Sequence, residues 1–239
     1  MQITFNLGMK IQRKQTGFTL LELLVVIAVI ALLAAILVPA VQSVRLSAQQ
    51  AKCASNMRQL GAALLLYAAT HNNKLPETSH TAAVGRSWVY TLDDYLGNSD
   101  EVRICPVDPQ GEQRLAAGGT SYILNDFLFV PRLDPSGQPM GDPTNNLSQI
   151  QSPSETPMAF IIADSQGVGD ANDHTHSYGW DSWSAVTSDI APGRFSRGDA
   201  SDDLSGSSNY LYADGHVAQH DAVDIKARID AGDNFAEPR

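Results

Sequence analysis

The chain has only two cysteines, Cys53 and Cys105, so it has neither a knuckle of closely spaced thiols nor a dense disulfide framework. Basic residues are few: 16 Lys and Arg stand against 26 Asp and Glu, for a formal net charge of −10. Phosphate contacts need clustered Lys and Arg, and no such cluster is present, so nucleic acid is not an expected partner. There is no Gly-x-Ser-x-Gly, no phosphate-binding loop, no dinucleotide fingerprint, no EF-hand spacing and no His-Glu-x-x-His. The familiar nucleophile, nucleotide and metal-hydrolase chemistries are therefore left without a motif. No internal repeat appears. The first seventeen positions lack acidic residues, and Lys10, Arg13 and Lys14 are their only charges.

A long apolar run follows this basic leader. From Leu20 to Val41 every residue is apolar except Glu22 and Pro39. About 20 such residues cross a bilayer core as a helix, whereas the apolar part of an ordinary export signal is only about 7–15 residues long. Val38-Pro39-Ala40 has the small residues of an export-signal cleavage site, so removal of the N-terminus near Ala40 is the competing expectation. The length of the run and the carboxylate inside it argue for a retained span. An isolated charge near the start of a membrane segment calls for a reason. Glu22 either snorkels to the interface or meets a positive partner. If the chain is cut after Gly17, Phe18 becomes an amine terminus about one helical turn from Glu22. Pro39 removes one helical hydrogen bond and either kinks the helix or marks its end.

Gly17-Phe18-Thr19-Leu20-Leu21-Glu22, with basic residues before it and the apolar run after it, resembles the N-terminal signal of type IV pilins and type II secretion pseudopilins. That resemblance implies a prepilin peptidase that cuts between Gly17 and Phe18 and methylates the Phe18 amine. It implies that Glu22 pairs with the Phe18 amine of a neighbouring subunit in a filament. Pro39, the twenty-second residue after the cut, falls where pilins often carry a proline. The implied product is a structural subunit rather than an enzyme. Its implied partners are further copies of itself, other pilin-like subunits, the peptidase, an inner-membrane assembly platform and membrane lipid. With Lys10, Arg13 and Lys14 held inside, the chain is expected to cross the inner membrane once, N-terminus cytoplasmic and head periplasmic.

Four segments follow from these readings: a leader at 1–17, a transmembrane or filament-core helix at 18–41, an amphipathic stem at 42–72 and a globular head at 73–239. In the stem, Cys53, Met57, Leu60, Leu64 and Tyr67 recur in steps of four and three, one apolar stripe of a helix. Gln49, Gln50, Lys52, Ser55, Arg58 and Gln59 lie mostly off it. The helix is expected to stop near His71-Asn72-Asn73, with Pro76 beyond. The expected fold class is α+β, a long N-terminal helical stem packed on an antiparallel sheet head.

In the head, Ser121–Val130 and Met158–Asp164 read as strands. Tyr210–Ala213 and His216–Ala218 read as a hairpin closed by a two-residue Asp214-Gly215 turn of type I′. Ser87–Leu96 carries apolar residues at helical spacing. Asp221 and Asp224 suggest the start of a last helix, with Ile225 and Ile229 facing inward and Gly232 stopping it. Residues 131–157 and 165–207, rich in small and polar types, read as surface loops. The head also resembles a bacterial group of prepilin-type proteins that share a C-terminal His-x9-Asp-Gly segment. Asn209–Val217 matches its end, but Leu204 stands where the histidine belongs. Cys53–Leu60 on the stem and Cys105-Pro106 fit the same group.

Two further features remain open. In an extracytoplasmic domain Cys53 and Cys105 are either oxidised to one bridge between stem and head or are two buried thiols. Asp199, Asp202, Asp203 and Asp214 are candidate carboxylate ligands for calcium. Asp170, Asp173, His174 and His176 form a second polar group. Both groups also fit a solvated acidic loop. The rival to the filament reading is a membrane-anchored binding module or metal-dependent enzyme.

Overall fold

The structure is a computed structural model that describes residues 19–80, 82, 85–130, 136, 145–196 and 204–239. The chain falls into two compact units, Met1–Val44 and Arg45–Arg239. The first helix, α1 (Leu20–Thr70), contributes to both. It runs through Pro39, so the proline does not end it. The missing Pro39 N–H leaves the carbonyl of Ala35 without its helical donor. α1 stops at Thr70, and Asn72 and Asn73 follow with positive φ, a conformation that asparagine tolerates better than most residues.

In the first unit the apolar side chains of α1, among them Leu20, Leu32, Leu33, Ile36 and Leu37, are exposed. Within the second unit α1 is amphipathic. Cys53, Met57, Leu60 and Leu64 are buried and Tyr67 is partly covered, which is the stripe expected from the sequence.

After α1 the order is α2 (Trp88–Thr91), α3 (Gly111–Ala116), β1 (Tyr122–Leu124), α4 (Asp126–Phe129), β2 (Pro157–Ile161), α5 (Trp183–Asp189), β3 (Ser207–Tyr212), β4 (Val217–Asp221) and α6 (Ala222–Asp230). The four strands form one antiparallel sheet in the order β1-β2-β3-β4. Side-chain alternation splits the core into two. Tyr122, Leu124, Ile161 and Leu211 face the cluster that contains Cys53, Met57, Leu60 and Leu64 of α1. Ile123, Phe160, Tyr210 and Tyr212 face the other, with Trp180, Val186, Ile225, Ile229 and Phe235. This is the period of two that a strand imposes. Met158 and Ala159 are adjacent yet share the α1 side, because the β2–β3 register shifts between Pro157 and Ala159. The fold is thus α+β, a long apolar N-terminal helix with a C-terminal antiparallel sheet, as in pilins.

Several local expectations are corrected. Ser121–Val130 is not one strand. β1 ends at Leu124, and the Asn125 side chain accepts a hydrogen bond from the Phe127 N–H, which starts α4. Ser87–Leu96 divides into α2 and a 3₁₀ turn, Asp93–Leu96, stopped by Gly97 with φ 67°. The hairpin turn is not type I′. Tyr212 and His216 close a three-residue loop, with the Tyr212 N–H donating to His216 O at 2.9 Å and the Gly215 N–H donating to Tyr212 O at 2.9 Å. Only Gly215 has positive φ there, 88°, whereas type I′ needs it at both central residues. Residues 165–207 are not merely a surface loop: they hold α5 and send Trp180, Val186 and Ile190 into the core. α6 begins after Asp221, whose side chain makes no capping hydrogen bond.

Candidate functional site

Glu22 sits in the first turn of α1. Its carboxylate accepts the Thr19 backbone N–H at 2.8 Å and the Thr19 hydroxyl at 2.7 Å, and its own N–H donates to Thr19 Oγ1 at 3.2 Å. Thr19-Leu20-Leu21-Glu22 is therefore a capping box. Threonine and glutamate three residues apart satisfy each other's otherwise orphaned groups at a helix start. The spacing of those two residues carries that signal, beside the charge expected of Glu22. Glu22 is the one charged residue on an exposed apolar surface that extends through Val41 and Val44. Among the described residues, this is the one helix long and apolar enough to cross a membrane. Gly17 and Phe18 lie outside the described residues.

The two cysteines meet within the second unit. Cys105 Sγ donates to Cys53 Sγ at 3.0 Å, and both side chains are buried and unbridged. Tyr122 Oη donates to Cys53 Sγ at 3.3 Å. Burial pushes the Cys53 thiol up, but hydrogen bonds from Cys105, Tyr122 and Asn209 outweigh it and hold the thiol below its ordinary range. Burial and the adjoining Cys53 push the Cys105 thiol far up. The chain around Cys105 is fastened to α1 by a second bond, from Asn56 Nδ2 to Ile104 O at 2.9 Å.

Three carboxylates of the head, Asp173, Asp189 and Asp214, are engaged by neighbouring donors. Asp173 is fully buried and accepts from the Ser79 N–H, the Ser79 hydroxyl and His174 Nδ1 at 2.7–2.8 Å. The carboxylate lies between the hydroxyl and the imidazole. A nucleophilic triad needs the imidazole in the middle. Asp189 accepts from Trp180 Nε1 at 2.9 Å and from the His176 N–H at 2.7 Å, which ties α5 to the preceding loop. Asp214 accepts from the His216 N–H at 3.0 Å and lies 2.6 Å from His216 Nδ1. Burial pushes the Asp214 carboxyl up, but His216 outweighs this and holds it below the usual range. Asp199, Asp202 and Asp203, its expected companions around calcium, lie outside the described residues. Among the described residues no group of three or more His, Cys, Asp or Glu is arranged to hold a metal ion. Trp88 and Trp180 are buried in the core.

Comparison with known proteins locates the informative segment. One family model, described as the prokaryotic N-terminal methylation motif, matches residues 12–38. The chain carries a type IV pilin-like prepilin signal. The matched stretch contains Gly17, Phe18, Thr19, Glu22 and most of the exposed apolar part of α1. No curated protein and no solved structure matches the chain. The prepilin signal points to assembly with other pilin subunits and to a prepilin peptidase.

Proposed function

We propose that the chain is a structural subunit of a pilus-like filament, in a type II secretion or type IV pilus system. It is made as a precursor, cut between Gly17 and Phe18 by a prepilin peptidase and methylated on the new Phe18 amine. The match to the methylation motif at residues 12–38 carries this reading. The exposed apolar surface of α1 supports it, because lipid or neighbouring stems supply the cover that such a surface needs in water. The stem waits in the inner membrane, with the head in the periplasm. Entry into the filament exchanges lipid contacts for stem–stem packing. An assembly platform in the same membrane supplies the subunits in turn.

In this reading Glu22 has two roles. It caps its own helix through Thr19, a residue that the cut leaves in place, and it presents a negative charge to the Phe18 amine of a neighbour. N-terminal mapping of the protein purified from its membrane tests the proposal. A mature chain that begins at methylated Phe18 is the expected result. A chain that begins at Met1, or near Val41, overturns it. Gly17→Asp should leave an uncut precursor, visible as the slower band on a gel.

A further inference from the structure

We propose that Cys53 and Cys105 are the two halves of a disulfide that staples the segment around Cys105 to α1. The geometry is already close. The sulfurs are 3.0 Å apart in the folded chain, although the residues are 52 positions apart in sequence. A disulfide needs about 2.05 Å, so closure asks for a shift of about 1 Å. The Asn56–Ile104 hydrogen bond fixes the same segment on the same helix, so the approach does not depend on the thiols alone.

The chemistry balances as thiol–disulfide exchange. Cys53 and Cys105 together lose two protons and two electrons. An oxidant of the disulfide class, either glutathione disulfide or the active disulfide of an extracytoplasmic oxidoreductase, receives the electrons as its S–S bond breaks and leaves as two thiols. One cysteine first forms a mixed disulfide with the oxidant, and the other displaces it. Both sulfurs are buried in the folded head, where a protein oxidant has no approach. The exchange therefore belongs to folding, before the Cys105 segment seats against α1. In an oxidising compartment the bond then holds stem and sheet together while the subunit is drawn from the membrane. That last step rests on the filament reading above. The pairing itself does not.

The test uses the full chain in detergent, reduced and denatured, then refolded with glutathione disulfide and treated with an alkylating reagent under denaturing conditions. The expected product carries no alkyl group, has a mass two hydrogens below that of the reduced chain, and yields a peptide joining Cys53 to Cys105. It should show a folded-to-unfolded ratio about a hundredfold above that of the reduced chain. Two alkylated thiols, or glutathione left on each cysteine, overturn the pairing. A second arm counts thiols in the chain isolated from cells, alongside its N-terminus. Free thiols on a chain that starts at Phe18 overturn the staple. Free thiols on an uncut chain, with the bond forming readily on refolding, leave the pairing standing and sink the filament reading instead.

Discussion

The side chains of Arg114 and Asp108 are both fully buried, and each is paired inside the head. The guanidinium donates to Asp108 Oδ2 at 2.9 Å, to Gly167 O at 2.5 Å and to Ala163 O at 3.2 Å. Asp108 also accepts from the Ser121 hydroxyl at 2.6 Å and from the Gln110 N–H at 2.9 Å. Through this ion pair α3 is joined to the chain that leaves β2 and to the residue before β1. A buried ion pair adds little stability over a well-packed apolar pair, but removing one partner strands the other charge. Arg114→Ala leaves Asp108 without its cation and takes the guanidinium from the Gly167 and Ala163 carbonyls. It should destabilise the head by about 3–5 kcal/mol, read as a lower urea midpoint. An unchanged midpoint would show that water replaces the guanidinium at no cost. This network was invisible in the sequence, since an isolated Arg and an isolated Asp six residues apart have no periodic signature.

At the scale of elements, what the sequence disclosed depends on whether a segment's pattern comes from its own period or from distant partners. The stem was legible because Cys53, Met57, Leu60 and Leu64 repeat at helical spacing over several turns, and that spacing decides burial. The alternation on either side of Asp214-Gly215 locates the hairpin but does not decide its turn. Asp-Gly fits type I′, yet the loop has three residues and needs positive φ only at Gly215. Residues 165–207 misled most. Their small and polar composition hides Trp180, Val186 and Ile190, which become core only because Phe160, Tyr210 and Phe235 are brought against them. The capping box at Thr19 was readable from spacing alone.

The β3–β4 hairpin also carries a titratable pair. His220 Nε2 lies 2.7 Å from Tyr212 Oη, and the ring meets Tyr210 edge-on at 5.2 Å. Burial, then Arg228, lower the His220 pKa from its ordinary 6.5, against smaller opposing pulls from Asp224 and Asp221. The unfolded chain therefore binds this proton more tightly than the folded one. The stability His220 contributes is complete above pH 6.5 and is lost as pH falls through the lower folded value. Melting temperature should drop between pH 7.5 and pH 5 in the native chain, and drop less in His220→Gln. Parallel curves for the two proteins would remove His220 from the account.

On the scale of the whole molecule, Glu22 poses the question that matters, because one carboxylate serves its own helix and, in the proposed filament, the next subunit. The two roles separate chemically. A capping box accepts glutamine in place of glutamate, since the amide oxygen still takes the Thr19 N–H and hydroxyl. Glutamine carries no charge, so it cannot pair with an amine terminus. At about 4 Å and an effective dielectric of about 20 such a pair gains roughly 4 kcal/mol before desolvation is subtracted. Glu22→Ala removes both roles and Glu22→Gln only the second. Both variants should insert in the membrane, be cut after Gly17 and fold their heads, because Glu22 belongs to the first unit. If the charge sets the register between subunits, both should be absent from sheared filaments while their membrane pools match the native level. Filaments with Glu22→Gln but not with Glu22→Ala would make the carboxylate a helix cap alone, and subunit register would then have to come from the apolar packing of Leu20 to Val41.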